Sequence, residues 1–217
     1  MEIGVFFDLD DTIIKGNSGL RYIRFLYENR ILKAHKSAIL PSLKLAYNYL
    51  KGDYKKAVDQ ADNLMALAFK GANKKETVRA AEFFVLNDVK NLKNPILERI
   101  NWHKNQGHKL ILLSASPDEV VQKFGKFLKF DYIRGSLFKL KNNIYTGELI
   151  IPSMIGKERA IVAKKIAKKL NIDLKQSYSY GNCINDLEVL ELVGNPFAVN
   201  PNKYLVSIAR KKGFRII

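Results

Sequence analysis

Ile3-Gly4-Val5-Phe6-Phe7-Asp8-Leu9-Asp10-Asp11-Thr12 sets three carboxylates within four positions at the end of a continuous apolar run. Residues 3–7 read as a short strand buried on both faces. Asp8 and Asp10 are two apart, so on an extended backbone they point to the same side and can face one pocket. An acidic cluster after a strand is more often a turn or a helix cap than a catalytic site. Its meaning therefore depends on what else the chain brings to that edge.

After this strand the pattern changes character. Residues 18–93 contain no convincing strand and several helical stripes. Leu20, Ile23, Leu26, Tyr27 and Ile31 form one, with Asn17 or Ser18 as its cap. Leu40, Leu43, Tyr47 and Leu50 form a second, and Val58, Ala61, Met65 and Phe69 a third that ends at Gly71. Asn73 with Glu76 resembles a capping box opening a fourth. From Asn94-Pro95 onward, helix and strand alternate. Strands are expected over 109–113, 132–138, 144–149, 177–180 and 197–199, the turn Asn142-Asn143 making a hairpin of two of them. Helices are expected over 116–129, 157–170 and 185–192. This alternation predicts an α/β fold: a Rossmann-like, doubly wound parallel sheet core with an inserted all-helical cap domain. Residues 1–14 plus 95–217 form the core, and 15–94 the cap inserted after the first strand.

Composition fits a soluble globular chain of 217 residues, with 47% apolar and 27% charged residues. No run approaches the ~20 apolar residues of a membrane-spanning helix, and the N-terminus lacks a secretory signal pattern. The single cysteine, Cys183, excludes an intrachain disulfide framework and fits a cytoplasmic location. The chain carries 37 Lys+Arg against 21 Asp+Glu, a net charge of +16. These basic residues are spread along the chain without interleaved aromatics, the pattern of a lysine-rich solvated surface. No nucleic-acid partner is expected. Gly-x-x-x-x-Gly-Lys and Gly-x-Gly-x-x-Gly loops are absent, and His35, His103 and His108 lack metal-ligand spacing.

Four segments fall at predicted strand ends or helix starts, the edge where open α/β sheets place their ligands. They are Asp8 to Thr12, Leu113-Ser114-Ala115-Ser116-Pro117, Gly156-Lys157, and Gly181-Asn182-Cys183-Ile184-Asn185-Asp186. Each alone is weak, for Ser114 could simply cap a helix and Lys157 could be an exposed lysine. Together they make a coherent site. Hydroxyl and N–H groups at a helix start, around Ser114 to Ser116, cradle phosphate. A lysine supplies compensating charge, and oxygen ligands suit Mg²⁺.

Asp8-Leu9-Asp10-Asp11-Thr12, Ser114, Lys157 and the 181–186 loop resemble, in order, the four motifs of the haloacid dehalogenase superfamily. The helical insertion, the hairpin and the Gly194-Asn195-Pro196-Phe197 ending are similar to the branch containing phosphoserine phosphatase (subfamily IB). The resemblance implies a Mg²⁺-dependent phosphomonoester hydrolase. Asp8 would be the nucleophile and Asp10 the acid–base. Thr12, Ser114, Lys157 and the N–H groups of Ala115 and Ser116 would bind phosphate. Asp8, the Asp10 carbonyl, Asn182 and Asp186 would hold the metal. The substrate would be a small phosphorylated metabolite or a lipid-linked phosphate, chosen by the cap.

Two positions depart from the family pattern. Asp11 stands where glycine is commoner and reads as a local cap. Asn182 stands where relatives carry a metal-binding aspartate, so one formal charge is missing. Lys15-Gly16-Asn17-Ser18 offers no carboxylate for a substrate amine, which weakens phosphoserine itself as substrate. Two alternatives remain open: a phosphotransferase or mutase of the same superfamily, and a basic binding protein with reduced catalysis. Oligomeric state is not readable from the residues.

Overall fold

The computed structural model describes residues 1–33, 43–44, 47–48, 51, 54–150 and 154–217. Six strands form the main sheet: β1 (Gly4–Phe7), β2 (Lys109–Pro117), β3 (Tyr132–Ser136), β6 (Tyr178–Gly181), β7 (Asn195–Ala198) and β8 (Arg215–Ile216). Their spatial order is β3-β2-β1-β6-β7-β8, and every neighbouring pair is parallel. The chain winds outward from β1 through β2 to β3, then returns to the other side of β1. The reversal therefore lies at β1, flanked by β2 and β6, where open α/β sheets leave a crevice at the carboxyl ends of their strands.

Eight α-helices are described around the sheet. They are α1 (Ser18–Glu28), α2 (Tyr54–Ala68), α3 (Lys74–Asp88), α4 (Asn94–Asn105), α5 (Asp118–Phe127), α6 (Gly156–Lys169), α7 (Leu187–Leu190) and α8 (Lys203–Lys212). Apolar side chains alternate along β1 and β2 to fill two separate cores. Phe7, Leu110 and Leu112 pack with Ile96, Ile100, Val120 and Phe124 on one face. Phe6, Ile111 and Leu113 pack with Ala163, Ile166 and Val189 on the other. Burial on both faces explains the continuous apolar run of the first strand.

An aromatic ladder stiffens the middle of the sheet. Phe7 stacks on Tyr180 at 4.5 Å, and Tyr180 on Phe197 at 4.8 Å, each pair in register across adjacent strands. The ladder stops one residue before Asp8 and Gly181, so it anchors the backbone from which the candidate site projects. Below it, His103 of α4 meets the Tyr180 hydroxyl at 2.9 Å and His108 at 2.9 Å. Burial drives the His103 imidazole down to about 3, so it packs as a neutral ring. Truncating a fully buried aromatic such as Phe7 costs about 3–5 kcal/mol in comparable cores.

The helical insertion leaves and rejoins the core through two segments running side by side. Lys15 N–H donates to Asn91 O and Lys93 N–H to Ile13 O, both at 2.9 Å. Asn17 caps α1 by accepting from Leu20 N–H at 2.8 Å, and Asn73 caps α3 by accepting from Lys75 N–H at 2.9 Å. Arg21 of α1 clamps Asp88 at the end of α3 through two bonds of 2.9 and 2.7 Å. The insertion also packs on the hairpin of β4 (Phe138–Lys141) and β5 (Ile144–Leu149), where Phe69 contacts the Phe138 and Tyr145 rings. Asn142 and Asn143 turn that hairpin with φ of 51° and 62°, the left-handed values its two-residue turn requires.

Several expectations need adjustment. The strand expected over 132–138 is two strands in different sheets, broken at Leu137: Gly135 packs so closely on Asp118 that a Cβ would lie 2.5 Å from the Asp118 Cα. The α1 stripe is rotated, for Leu20 is 64% exposed while Ser18, Gly19, Tyr22 and Leu26 are buried. Most of the helix expected from the Leu40 to Leu50 stripe lies outside the described residues, as does His35. Strand β8 and helix α8, capped by Asn202 and closed by left-handed Gly213, were not anticipated.

Candidate active site

Asp8 follows β1 directly, is 8% exposed, and its N–H donates to Tyr180 O at 3.0 Å. Burial raises its carboxyl well above the ordinary range; Asp186 adds to that, while Arg159 opposes it. The opposing cation is close, with Arg159 Nη1 at 3.0 Å from Asp8 Oδ1. The same nitrogen donates to Asp186 Oδ1, and Arg159 Nε donates to Met154 O at 2.5 Å. One buried guanidinium thus bridges two buried carboxylates.

Asp10 turns to a different set of partners. Its Oδ1 accepts from Ser18 N–H at 2.6 Å and Ser18 Oγ at 2.5 Å, and its Oδ2 from Ser116 Oγ at 2.5 Å. Burial pushes its carboxyl up, opposed by the bonds from Ser116 and Ser18. Gly19 makes this convergence possible: a Cβ there would lie 2.6 Å from Ser116 Oγ, so only glycine lets α1 come so near β2. Asp11 takes a left-handed φ of 56° and accepts from Gly16 N–H at 2.7 Å, a local turn pointing away from the site.

Ser114 and Thr12 are fully buried beside Asp8. Ser114 Oγ accepts from Ser116 N–H at 3.1 Å, and the Ala115 carbonyl accepts from Ser136 Oγ at 2.7 Å. Thr12 Oγ1 is buried and its hydroxyl interacts with the Asp8 carboxyl, favouring the anion there. The sequence leads one to expect a helix opening at 114–116; this segment is instead the irregular end of β2, with a register shift between Leu113 and Pro117, and α5 starts at Asp118.

After β6, Asp186 folds back to accept from Asn182 N–H at 2.9 Å and Cys183 N–H at 3.0 Å. Gly181 permits this, since a Cβ there would sit 2.4 Å from the Asp186 Cβ. Burial raises the Cys183 thiol far above its ordinary value, with Asp186 and Asp8 adding to the effect, so it is no nucleophile.

The structure thus brings Asp8, Thr12, Ser114 and the 181–186 loop to one edge and separates Lys157 from it. Lys157 is exposed on the first turn of α6, and the cation at the site is Arg159. Two residues on a helix are about 200° apart, so both cannot face the same side. The buried stripe of α6 is Arg159, Ala160, Ala163, Ile166 and Ala167, a helical period that contains Arg159 and excludes Lys157. That stripe was visible in the sequence. Ser18 was also missed as a partner of Asp10; only the three-dimensional return of α1 reveals it.

The donors available to a metal are all oxygens: Asp8, Asp186, the Asn182 side-chain carbonyl and the Asp10 main chain. Oxygen donors fit a hard divalent cation. Among the described residues no three His, Cys, Asp or Glu side chains cluster as a metal site. A divalent cation there would have to draw part of its ligation from neutral oxygens.

Comparison with known proteins agrees with this geometry. Residues 5–191 match the haloacid dehalogenase-like hydrolases, and the chain belongs to that family. It is 27% identical over 98% of its length to the inhibition of morphological differentiation protein of Streptomyces azureus, covering 76% of that protein. It is 26% identical over 97% of its length to phosphoserine phosphatase SerB1 of Mycobacterium tuberculosis, covering 69% of it. Among solved structures, a Bordetella pertussis protein of unknown function superposes with a TM-score of 0.84 at 20% identity, over 100% of this chain and 98% of that one. A substrate-bound phosphoserine phosphatase superposes with 0.66 at 18% identity, over 100% and 93%.

Proposed function

We propose that this hydrolase is a Mg²⁺-dependent phosphomonoesterase working through a phospho-aspartate at Asp8. The observation that carries the proposal is the pairing of two buried carboxylates with different partners: Asp8 on a guanidinium, Asp10 on two serine hydroxyls. In this reading Asp8, beside a cation that favours its anion, is the nucleophile, and Asp10, whose carboxyl burial pushes up, is the acid–base. Phosphatase names among the relatives support the same reading.

In this scheme Asp8 attacks phosphorus while Asp10 gives its proton to the departing ester oxygen, releasing the alcohol. Asp10, now anionic, takes a proton from water, which attacks the acyl-phosphate and frees Asp8 and inorganic phosphate. Ser18 and Ser116 hold the Asp10 carboxyl in one orientation for both steps. Thr12 Oγ1 and Arg159 bind phosphoryl oxygens, with Ser114 and the 115–116 backbone as their wall. Mg²⁺, held by Asp8, the Asp10 carbonyl, Asn182 and Asp186, would supply the charge that lets an anionic ester approach an anionic nucleophile.

The substrate class is a small phosphorylated metabolite or a lipid-linked phosphate. The 15–100 stretch carries 17 Lys+Arg against 8 Asp+Glu, which favours an anionic substrate at the cap. No helix among the described residues is long and apolar enough to cross a membrane, and a cytoplasmic setting suits the lone cysteine. A phosphate-release screen over phosphometabolites and phospholipid headgroups, with Asp8→Asn as blank, tests the proposal. Release by the wild type and a drop of at least ~10³-fold in the variant is expected. Wild-type protein that transfers the phosphoryl group to a sugar without releasing phosphate would instead mark a mutase.

A further inference from the structure

We propose that Arg159 is an internal clip on the divalent-ion site: its guanidinium ties Asp8 to Asp186 and competes with the ion for the same oxygens. The inference rests on the reading of Asp8 and Asp186 as ion ligands. Arg159 Nη1 lies 3.0 Å from Asp8 Oδ1 and also bonds Asp186 Oδ1, so the cation occupies one oxygen of each carboxylate. Its position is not a chance of a mobile side chain. Arg159 is 4% exposed, anchored through Nε to Met154 O, and rises from the buried stripe of α6.

Space and charge point the same way. Only about 10 Å³ of space lies behind this bridge, among residues that include Phe6, Phe7, Asp8, Arg159, Tyr180 and Asp186, so the guanidinium is packed against the two carboxylates. Mg²⁺ takes oxygen ligands at close range and keeps several of its waters, and it would need the same carboxylate oxygens that the guanidinium holds. Asn182 sharpens the competition. With a neutral side chain there, one fixed positive charge already offsets half of the charge that Asp8 and Asp186 would present to the ion. The clip stabilises the two buried carboxylates, and an ion that takes the same oxygens must displace it. An arriving phosphate offers the guanidinium another anion, and in that state the same residue serves as a phosphoryl ligand.

Calorimetric titration with MgCl₂, without substrate, tests the clip in wild-type protein, Arg159→Met and Arg159→Lys. Removing a unit charge about 4 Å from a divalent ion should tighten binding at least tenfold even at bulk-water screening, so Arg159→Met is expected to bind Mg²⁺ roughly tenfold or more tightly. Arg159→Lys keeps the charge but cannot span both carboxylates, and is expected to fall between. Should Arg159→Met fail to fold, the lysine variant carries the test alone. Unchanged or weaker Mg²⁺ binding in the folded variant overturns the clip, whatever the wild type hydrolyses. A wild type inert on every phosphate ester, beside variants that do bind the ion more tightly, overturns the hydrolase reading and leaves the clip standing.

Discussion

At the end of β1, Asp8 is buried beside a guanidinium; at the seam between the β5 hairpin and α5, Glu119 is buried beside a phenol. Both carboxyls are raised by burial, Asp8 in direction and Glu119 to about 7. Their surroundings differ in what opposes that rise. Arg159 lies 3.0 Å from Asp8 and favours its anion. Glu119 accepts from Tyr145 Oη, and Lys74 at the rim of its 220 Å³ cavity is only a minor charge. None of Asp8, Asp10 or Arg159 lines that cavity. One carboxyl has a cation that opposes its burial; the other has only a neutral phenol, and burial holds it up to about 7 where the hairpin joins the core. The difference teaches that burial alone does not mark an active carboxylate: the charge of its partner does.

Asp10→Asn attacks the catalytic side of this contrast most directly. The amide preserves shape and can accept from Ser18 N–H, but it has no acidic proton for the leaving oxygen. Phosphate release should fall by about 10²–10⁴-fold for alkyl phosphates, the usual range for a lost general acid. The loss should shrink for an aryl phosphate, whose leaving group needs little protonation. Equal losses for both esters would show that Asp10 positions the site without donating a proton. Steady-state assays on the two ester types decide it.

Glu119→Gln probes the structural side. Its folded value of about 7 lies above the ordinary 4.5, so folding favours the protonated form. The stability it contributes is fully present below about pH 4.5 and is lost as pH rises through about 7. The span corresponds to a loss on the order of 3 kcal/mol at most. Urea melts should therefore show wild-type stability falling between pH 5 and pH 8 relative to the glutamine variant, which cannot ionise. The difference cancels His103, whose depressed value acts in the opposite direction, weakening the fold as pH falls below about 6.5. Parallel pH profiles would mean that Glu119 is no more protonated in the fold than in the unfolded chain.

The same contrast explains what the sequence revealed. The strand before Asp8 was legible because burial on both faces leaves an unbroken apolar run, and helix–strand alternation follows from covering both faces of a parallel sheet. The hairpin was legible from Asn142-Asn143, whose residue type its turn demands. Lys157 follows a glycine as the family motif does, whereas the apolar phase of α6 turns Arg159 inward. Ser18 and Glu119 were not legible. Their roles depend on contacts eight and 26 residues away, to Asp10 and Tyr145, which no local period encodes. Strand β8 is two exposed residues, too short for any pattern.

Asn182→Asp is the smallest change and the finest test of how Asp8 is kept an anion. The Asn182 N–H donates to Asp186 Oδ2 and its carbonyl accepts from Asn202 N–H, both through the Asn182 backbone, so the substitution leaves these bonds intact. What changes is one formal charge on the residue whose backbone holds Asp186. A third carboxylate should tighten Mg²⁺ about tenfold, because an ion now meets charge where it met an amide dipole. Without the ion, the added anion should raise the Asp8 carboxyl further, as the Asp186 carboxylate already does. The variant should thus depend more steeply on Mg²⁺ for activity and bind it better, a pairing that titration and assay read separately. Unchanged affinity would remove Asn182 from the ligand set and leave Asp186 to balance Arg159 alone.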